Sequence, residues 1–284
     1  MVLFSVSVVG AWHPLFRTVK LALENDGYTH ILLILPLTIT FICADWKQLQ
    51  PILKPSVRLG FPILCLPGVI AVLTLSHAPW MTADLRLTIN MLALVTCWIG
   101  SFVLCFGTEV ARAMLFPLCF LFWMVPIPSV ALNRIVQWLQ QGSALATRLL
   151  FTTAGVPVTQ DGLSLTIPGL TLEVAQECSS IRSSLMLLVT AMVLAQILLR
   201  SPWRKALVIL LAVPLSVAKN GLRIFTIAML GTRVDPGFLT GRLHHDGGIV
   251  FFSITLIAVF ILLWILRRTE DRLLPSPALN ALGT

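Results

Sequence analysis

Seven stretches of this chain, residues 29–45, 59–76, 86–106, 110–127, 180–199, 206–230 and 248–266, are apolar enough and long enough to dictate its surroundings. A bilayer core of about 30 Å is crossed by roughly 20 helical residues, and lipid offers the backbone no hydrogen-bond partners, so each stretch must satisfy its own N–H and C=O groups as a helix. An eighth and weaker stretch, 1–20, is interrupted by His13, Pro14 and Arg17. It has neither a basic leader nor a small-residue cleavage site, and reads as a membrane segment instead of a signal peptide. The expected fold class is an all-α polytopic membrane protein, a bundle of about eight transmembrane helices. Composition agrees, with 57% hydrophobic and 11% charged residues and a mean hydropathy of +0.92, against about a quarter charged in a soluble domain. The lipid bilayer is thus the first partner. The net charge of +8 is scattered through short loops, so it carries topology and excludes a nucleic-acid partner.

Lys and Arg favour the cytoplasmic side. Lys47, Lys54 and Arg58, then Arg200, Arg204 and Lys205, then Arg267, Arg268 and Arg272 fall on one face if eight spans are threaded. Both termini are then expected in the cytoplasm and the 128–178 segment outside. Lys219, Arg223, Arg233 and Arg242 run against the rule, close to the outer face. Basic residues held where topology disfavours them point to a task.

The external segment changes period along its length. Leu132, Ile135, Val136 and Leu139 form one stripe, with Asn133, Arg134, Gln137, Gln140 and Gln141 elsewhere, so 130–151 is expected as an amphipathic helix on the membrane surface. From Val156 to Val174 the period becomes two, with turns at Asp161-Gly162 and Pro168-Gly169. A short hairpin-like element of two or three strands, or a loop packed on the bundle, then leads into a polar run.

That run, E-C-S-S-I-R-S-S at 177–184, holds the thiol that stands apart from the rest. Cys43, Cys65, Cys97, Cys105 and Cys119 lie in or beside apolar stretches, where a thiol behaves as a small hydrophobe, and no C-x-x-C pair occurs. Cys178 has polar neighbours on both sides at a helix mouth, with Ser179 beside it and Arg182 a turn on. At 1.5 Å per residue Arg223 is about 25 Å along its helix from Ala206, at the same outer level. Lys219, Asn220 and Arg223 share a helical face. For Lys219 a snorkelling cation and a functional one both stay open; Arg223, set among Leu222, Ile224 and Phe225, is expected to be buried and functional. The run L-H-H-D-G-G at 243–248 precedes the last span and brings His244 and His245 to that level. One of the two could be an ordinary interfacial residue, and two adjacent histidines with one Asp build no convincing metal site.

C-S-S-I-R at 178–182, N-G-L-R at 220–223 and H-H-D-G-G at 244–248, in that order, resemble the exosortase/archaeosortase family of membrane-embedded cysteine transpeptidases. The likeness reaches G-Y-T-H at 27–30, the P-I-P stretch and G-V-P-V-T-Q-D-G-L before the cysteine box, so it covers most of the chain as a single domain over 1–284, with catalytic helices at about 178–266. Ser180 stands where the family usually has Gly, and the histidines are paired. His244, four residues before Gly248, has the family's usual spacing; His245 is the runner-up.

The resemblance implies Cys178, Arg223 and His244 as catalytic residues, supported by Arg182, Asn220, Ser179 and His245, with no cofactor or metal. A thiol needs a cation or imidazole nearby to ionise near neutral pH. Arg223 suits the oxyanion of a tetrahedral intermediate, and His244 suits protonation of the leaving amine. The implied partners are secreted proteins with a C-terminal sorting tail, made of a P-E-P-type motif, a transmembrane helix and a basic end, and an unknown acceptor nucleophile. The implied location is the bacterial inner membrane, with the site on its external, periplasmic face. The alternative class is a transporter or a polysaccharide-export assembly protein. The first would favour broken helices and internal repeats, and the second would need none of the three residues; a thiol oxidoreductase would need a second external cysteine.

Overall fold

The structure, a computed structural model, describes residues 12–49, 54–75, 81–174, 181–239 and 242–273; for residues 48, 69–75, 242–247 and 273 only the backbone is described. It is mostly helical: α1 (Trp12–Glu24), α2 (Ile31–Leu49), α3 (Val57–Leu75), α4 (Ala83–Phe106), α5 (Thr108–Ala113), α6 (Leu115–Phe120), α7 (Ser129–Thr153), α8 (Ile181–Leu198), α9 (Pro202–Arg233) and α10 (Arg242–Leu273). Short 3-10 turns stand at Asp26–Tyr28, Leu121–Met124 and Pro236–Leu239. A small sheet, β1 (Thr159–Asp161), β2 (Ser164–Ile167) and β3 (Leu170–Glu173), occupies the stretch of period two.

Among the described residues five segments are long and apolar enough to cross a membrane: Asp26–Lys47, Ala83–Phe106, Ile181–Leu198, Pro202–Arg233 and Gly248–Arg272. A sixth is reached if Leu115–Met124 and Ser129–Thr153 count as one broken span. The difference from eight has local causes. Residues 1–11 lie outside the described residues, and the 13 residues of α1 make a rod of only about 20 Å. Helix α3 runs 19 residues, Val57–Leu75, but its side chains are described only as far as Gly68, so it is not among the five. The run 110–127 is cut because Pro117 has no N–H for the Ala113 carbonyl, so α5 stops there and α6 starts afresh.

Contacts divide the chain into two units, Met1–Asn133 and Arg134–Thr284. In the first, α3 and α4 meet backbone to backbone. A Cβ on Gly60 would lie 2.6 Å from Leu104 Cα, and one on Gly100 2.8 Å from Leu64 N, so small residues set the approach, as is common between membrane helices. The P-I-P corner is pinned from three directions. Tyr28 donates its hydroxyl proton to the Ile127 carbonyl (2.8 Å), Thr88 donates to the Pro126 carbonyl (2.8 Å), and the Asp84 carboxylate takes the Ser129 N–H (2.8 Å).

In the second unit α8, α9 and α10 share a dry core of Leu187, Ala191, Ala195 and Leu199, Val208 and Ala212, and Val259 and Leu263. Lys205 donates to Gln196 next to the α8–α9 turn, Ser216 to Ser184 further on, and Lys219 to Ser183 beyond that, so ascending numbers on α9 meet descending ones on α8 and the two are antiparallel. Helices α9 and α10 have 32 residues each, about 48 Å, longer than the roughly 30 Å hydrocarbon core. Helix α10 begins at Arg242 and not at the apolar run from 248, which makes the His244 and His245 backbone part of the helix. The sheet is antiparallel in the order β1-β2-β3. It buries Leu165 against Ala144 and Ile224, and Ile167 against Phe151 and Ala228.

Helix α7 departs most from the reading of its sequence. Its buried face is Val136, Leu139, Gln140, Ser143, Ala144, Thr147 and Phe151, while Val130, Ile135, Trp138, Leu145 and Leu149 are exposed. The apolar stripe expected to lie on the membrane surface is thus split, with Val136 and Leu139 buried in the protein and Ile135 exposed, and Gln140, expected on the polar side, is buried. In lipid an apolar side chain gains nothing by turning inward, whereas a polar one gains a partner.

Candidate active site

The inward face of α7 supplies hydroxyls and an amide, and α9 answers with matching groups. Asn220 is buried and donates through Nδ2 to Ser143 Oγ (3.0 Å). Thr147 donates to the carbonyls of Ser143 (2.7 Å) and Gly221 (3.3 Å). A Cβ on Gly221 would stand 2.7 Å from Ala146 Cβ, so this glycine is what lets the two helices close to hydrogen-bonding distance. Asn220 Oδ1 is buried without a hydrogen-bond partner among the described residues.

One turn away the cluster reaches α8. Lys219 is buried, 6% exposed, and its ammonium donates to Ser183 Oγ in the first turn of that helix. Ser216 donates to Ser184 Oγ at 2.6 Å. Among the described residues the partner of this buried amine is a neutral hydroxyl and not a carboxylate. Gln140 donates through Nε2 to the carbonyl of Val174 (3.0 Å), and the Val174 N–H reaches the Leu163 carbonyl (3.0 Å). The chain is therefore held at Val174, four residues before Cys178.

The expected site residues fall differently on this frame. Asn220 is at its centre. Arg223, expected buried, is half-buried one turn along α9 from Lys219 and Asn220, with Leu222 beside it exposed. Arg182 is exposed in the first turn of α8. Cys178 and Ser179 lie outside the described residues, while His244 and His245 have helical backbone in the first turn of α10. Gln140, Ser143, Thr147, Ser183, Ser184 and Ser216 are members that the sequence did not single out. The spacing of Gln140, Ser143 and Thr147, three then four residues, is the signal that could have found the first three, since it puts them on one helical stripe.

Beside this cluster α7 and α9 leave an apolar groove of about 550 Å³ between Trp138, Gly142, Leu145 and Ala146 on one side and Pro214, Val217 and Ala218 on the other. Gly142, Ala146 and Ala218 are the small residues of its lining, and Gln141 is its polar one.

The chain matches, over residues 22–261, the model of a family described as transmembrane exosortase (Exosortase_EpsH). No curated protein and no solved structure matches it.

Proposed function

The chain belongs to the transmembrane exosortase family, and from that premise we propose that it is a cysteine transpeptidase that cuts a C-terminal sorting tail from secreted proteins at the outer membrane face. The match runs through both compact units, which supports treating the whole as one domain. The observation that carries the reading is the buried polar cluster on α7, α8 and α9. It holds the first turn of α8, on which the cysteine box is mounted, against the helix that carries Arg223.

Cys178 is three residues before Ile181, so its Cα lies within about 11 Å of the start of α8. Val174, four residues before the thiol, is tied to Gln140. The chain is thus held on both sides of the cysteine box, at Val174 and at Ser183, and a thiol close to Lys219 or Arg223 would be favoured as the thiolate. The sulfur attacks the scissile carbonyl, the carbonyl π electrons move to oxygen, and Arg223 holds the resulting oxyanion in a site of low dielectric. Collapse breaks the C–N bond, His244 gives the departing amine its proton, and a thioester remains on Cys178. An incoming nucleophile, an acceptor amine or hydroxyl or else water, resolves it. His245 is the second candidate for the acid, with Arg182, Ser179 and Asn220 in support. The open acceptor on Asn220 suits an N–H of the cysteine box. The α7–α9 groove, with Gly142, Ala146 and Ala218 in its lining, would suit the tail's transmembrane helix, since small residues let helices approach closely.

The test is co-expression with a secreted protein bearing a P-E-P-type tail. Cys178→Ala and Cys178→Ser are expected to abolish processing, and processing at the wild-type rate would refute the cysteine nucleophile. Ser183→Ala is the parallel control, since a serine held by a lysine is the other nucleophile arrangement in this cluster. Loss in Ser183→Ala with full activity in Cys178→Ala would move the nucleophile there. Loss in His245→Ala but not in His244→Ala would reassign the acid.

A further inference from the structure

A second cluster of positive groups lies in the first unit, outside the cysteine-bearing helices. Helix α1 packs on α4, and between them is a cavity of about 390 Å³ lined by His13, Pro14 and Arg17 of α1, Met81, and Ala83, Arg86, Leu87 and Asn90 of α4. That volume is in the range of small-ligand sites. Its walls carry two guanidiniums, an imidazole and a side-chain amide, and they include no carboxylate. The carboxylates closest in sequence do not line the cavity. Asp84 accepts the Ser129 N–H at 2.8 Å, and Glu24 pairs with Lys20 at 3.7 Å. The neighbouring stretches 1–11 and 76–80 contain no Asp or Glu at all.

The outer side of α1 is as informative as its inner side. Trp12, Phe16, Val19 and Leu23, spaced four, three and four apart, are exposed as one apolar stripe, while Thr18 and Ala22 face the protein. Trp12 and Phe16 stack at 6.4 Å between ring centroids. Such a stripe is a surface for acyl chains, and a tryptophan at its end suits the headgroup level. Arginine pairs with phosphate through two parallel N–H bonds. A ligand with phosphate at one end and hydrocarbon at the other fits the pocket and the stripe together.

We propose that the pocket formed by His13, Arg17, Arg86 and Asn90 binds the phosphate headgroup of an anionic phospholipid whose acyl chains run along the Trp12–Phe16 face of α1. The assignment stands apart from the transpeptidase reading and survives its failure.

The experiment is native mass spectrometry of the full-length protein from nanodiscs of mixed phosphatidylglycerol and phosphatidylcholine. Wild type is expected to retain phosphatidylglycerol in preference. Arg17→Gln and Arg86→Gln should each weaken that preference by about fivefold, and the double variant should lose it, while Lys20→Gln, a cation outside the pocket, should not change it. The single variants keep the test decisive if the double one does not fold. An undiminished preference in both singles overturns the site. A titration with inorganic phosphate alone separates the sources: displacement of the retained lipid at millimolar phosphate would overturn the lipid assignment and make the pocket a site for the free ion. No displacement is the expected result.

Discussion

At one end of the α8–α9–α10 bundle the buried charge is a carboxylate. Glu270, 3% exposed, takes the N–H groups of Arg200 (3.0 Å) and Ser201 (2.6 Å) just ahead of α9, while Arg204 donates to the Leu266 carbonyl and to Thr269 Oγ1 (3.0 Å). At the other end the buried charge is an ammonium, Lys219, and it meets the hydroxyl of Ser183. Burying an ion costs several kcal/mol unless partners and hydrogen bonds compensate it. Around Glu270 compensation is local, by groups that have no other task, and the result is a clasp between α10 and the α8–α9 turn. Around Lys219 the partner is neutral, and Arg223 follows one turn later on the same face of α9. A buried amine with no carboxylate beside it among the described residues is costly in a scaffold, and it is placed where the proposed reaction would need positive charge.

The contrast is tested first where the largest effect is expected. Arg223→Gln should lower the processing rate by roughly 10²–10³-fold, the usual cost of removing one oxyanion donor, with little change in thermal unfolding. Arg223→Lys should fail nearly as badly if the planar fork matters. Retained activity in both, measured as cleaved tail per folded enzyme, would remove the oxyanion assignment and with it half of the contrast. Glu270→Gln should show the opposite pattern. It weakens two charge-assisted hydrogen bonds and should lower stability by about 1.5–3 kcal/mol, visible as an earlier unfolding transition in detergent, while activity per folded molecule stays at the wild-type level. A fall in that specific activity would show that the clasp end also governs the chemistry.

Much of this division was legible in the sequence. The three basic segments were expected to share a face, and two of them, around Arg200–Lys205 and Arg267–Arg272, do meet at the Glu270 clasp. The partner that joins them is Glu270, and no local pattern marks an acid that acts across 70 residues of chain. The spans that carry the cysteine box, N-G-L-R and the histidines were read at nearly their observed positions, because uninterrupted hydropathy is a strong signal. Three readings went differently for identifiable reasons. Pro117 divided a span that hydropathy alone joins. Helix α10 runs on past its apolar part through Arg242–Gly248, where composition gives no reason to start a helix. For α7 the reading as a helix lying on the membrane surface missed that its buried face is part polar. Trp138, Leu145 and Leu149 are exposed beside Gln137, Gln141 and Arg148, whereas Gln140, Ser143 and Thr147 turn to partners on α9 and at Val174, which hydropathy does not reveal.

Lys219→Met comes next in size. It keeps the length and apolar stem of the side chain but removes its charge and its bond to Ser183. If Lys219 positions the first turn of α8 and adds to the field there, processing should fall about tenfold, equivalent to roughly 1.4 kcal/mol, with the loss in kcat more than in KM. Lys219→Arg, which restores a cation and a donor, should recover part of it. A purely structural lysine would give a different signature, an earlier unfolding transition in Lys219→Met with specific activity unchanged. That outcome would make the two ends of the bundle alike in kind.

The smallest expected effect falls on the seam that holds α7 to α9. Thr147 Oγ1 donates to the carbonyls of Ser143 and Gly221, so Thr147→Val deletes those hydrogen bonds and leaves the shape nearly intact. Hydrogen bonds between membrane helices average about 0.6 kcal/mol and rarely exceed about 1.7 kcal/mol, because the separated helices find other partners. The Thr147–Ser143 bond lies within one helix, so only the one to Gly221, at 3.3 Å, ties the seam. The expected loss of stability is therefore near the lower figure, with processing unchanged. The closeness of α7 and α9 is set by Gly221, whose missing side chain leaves room for Ala146, and valine at 147 leaves that contact in place. A fall of tenfold or more in processing at normal stability would mean that the Asn220–Ser143 pair next to it is aimed by this hydroxyl, and α7 would then belong to the reacting end instead of serving as its wall.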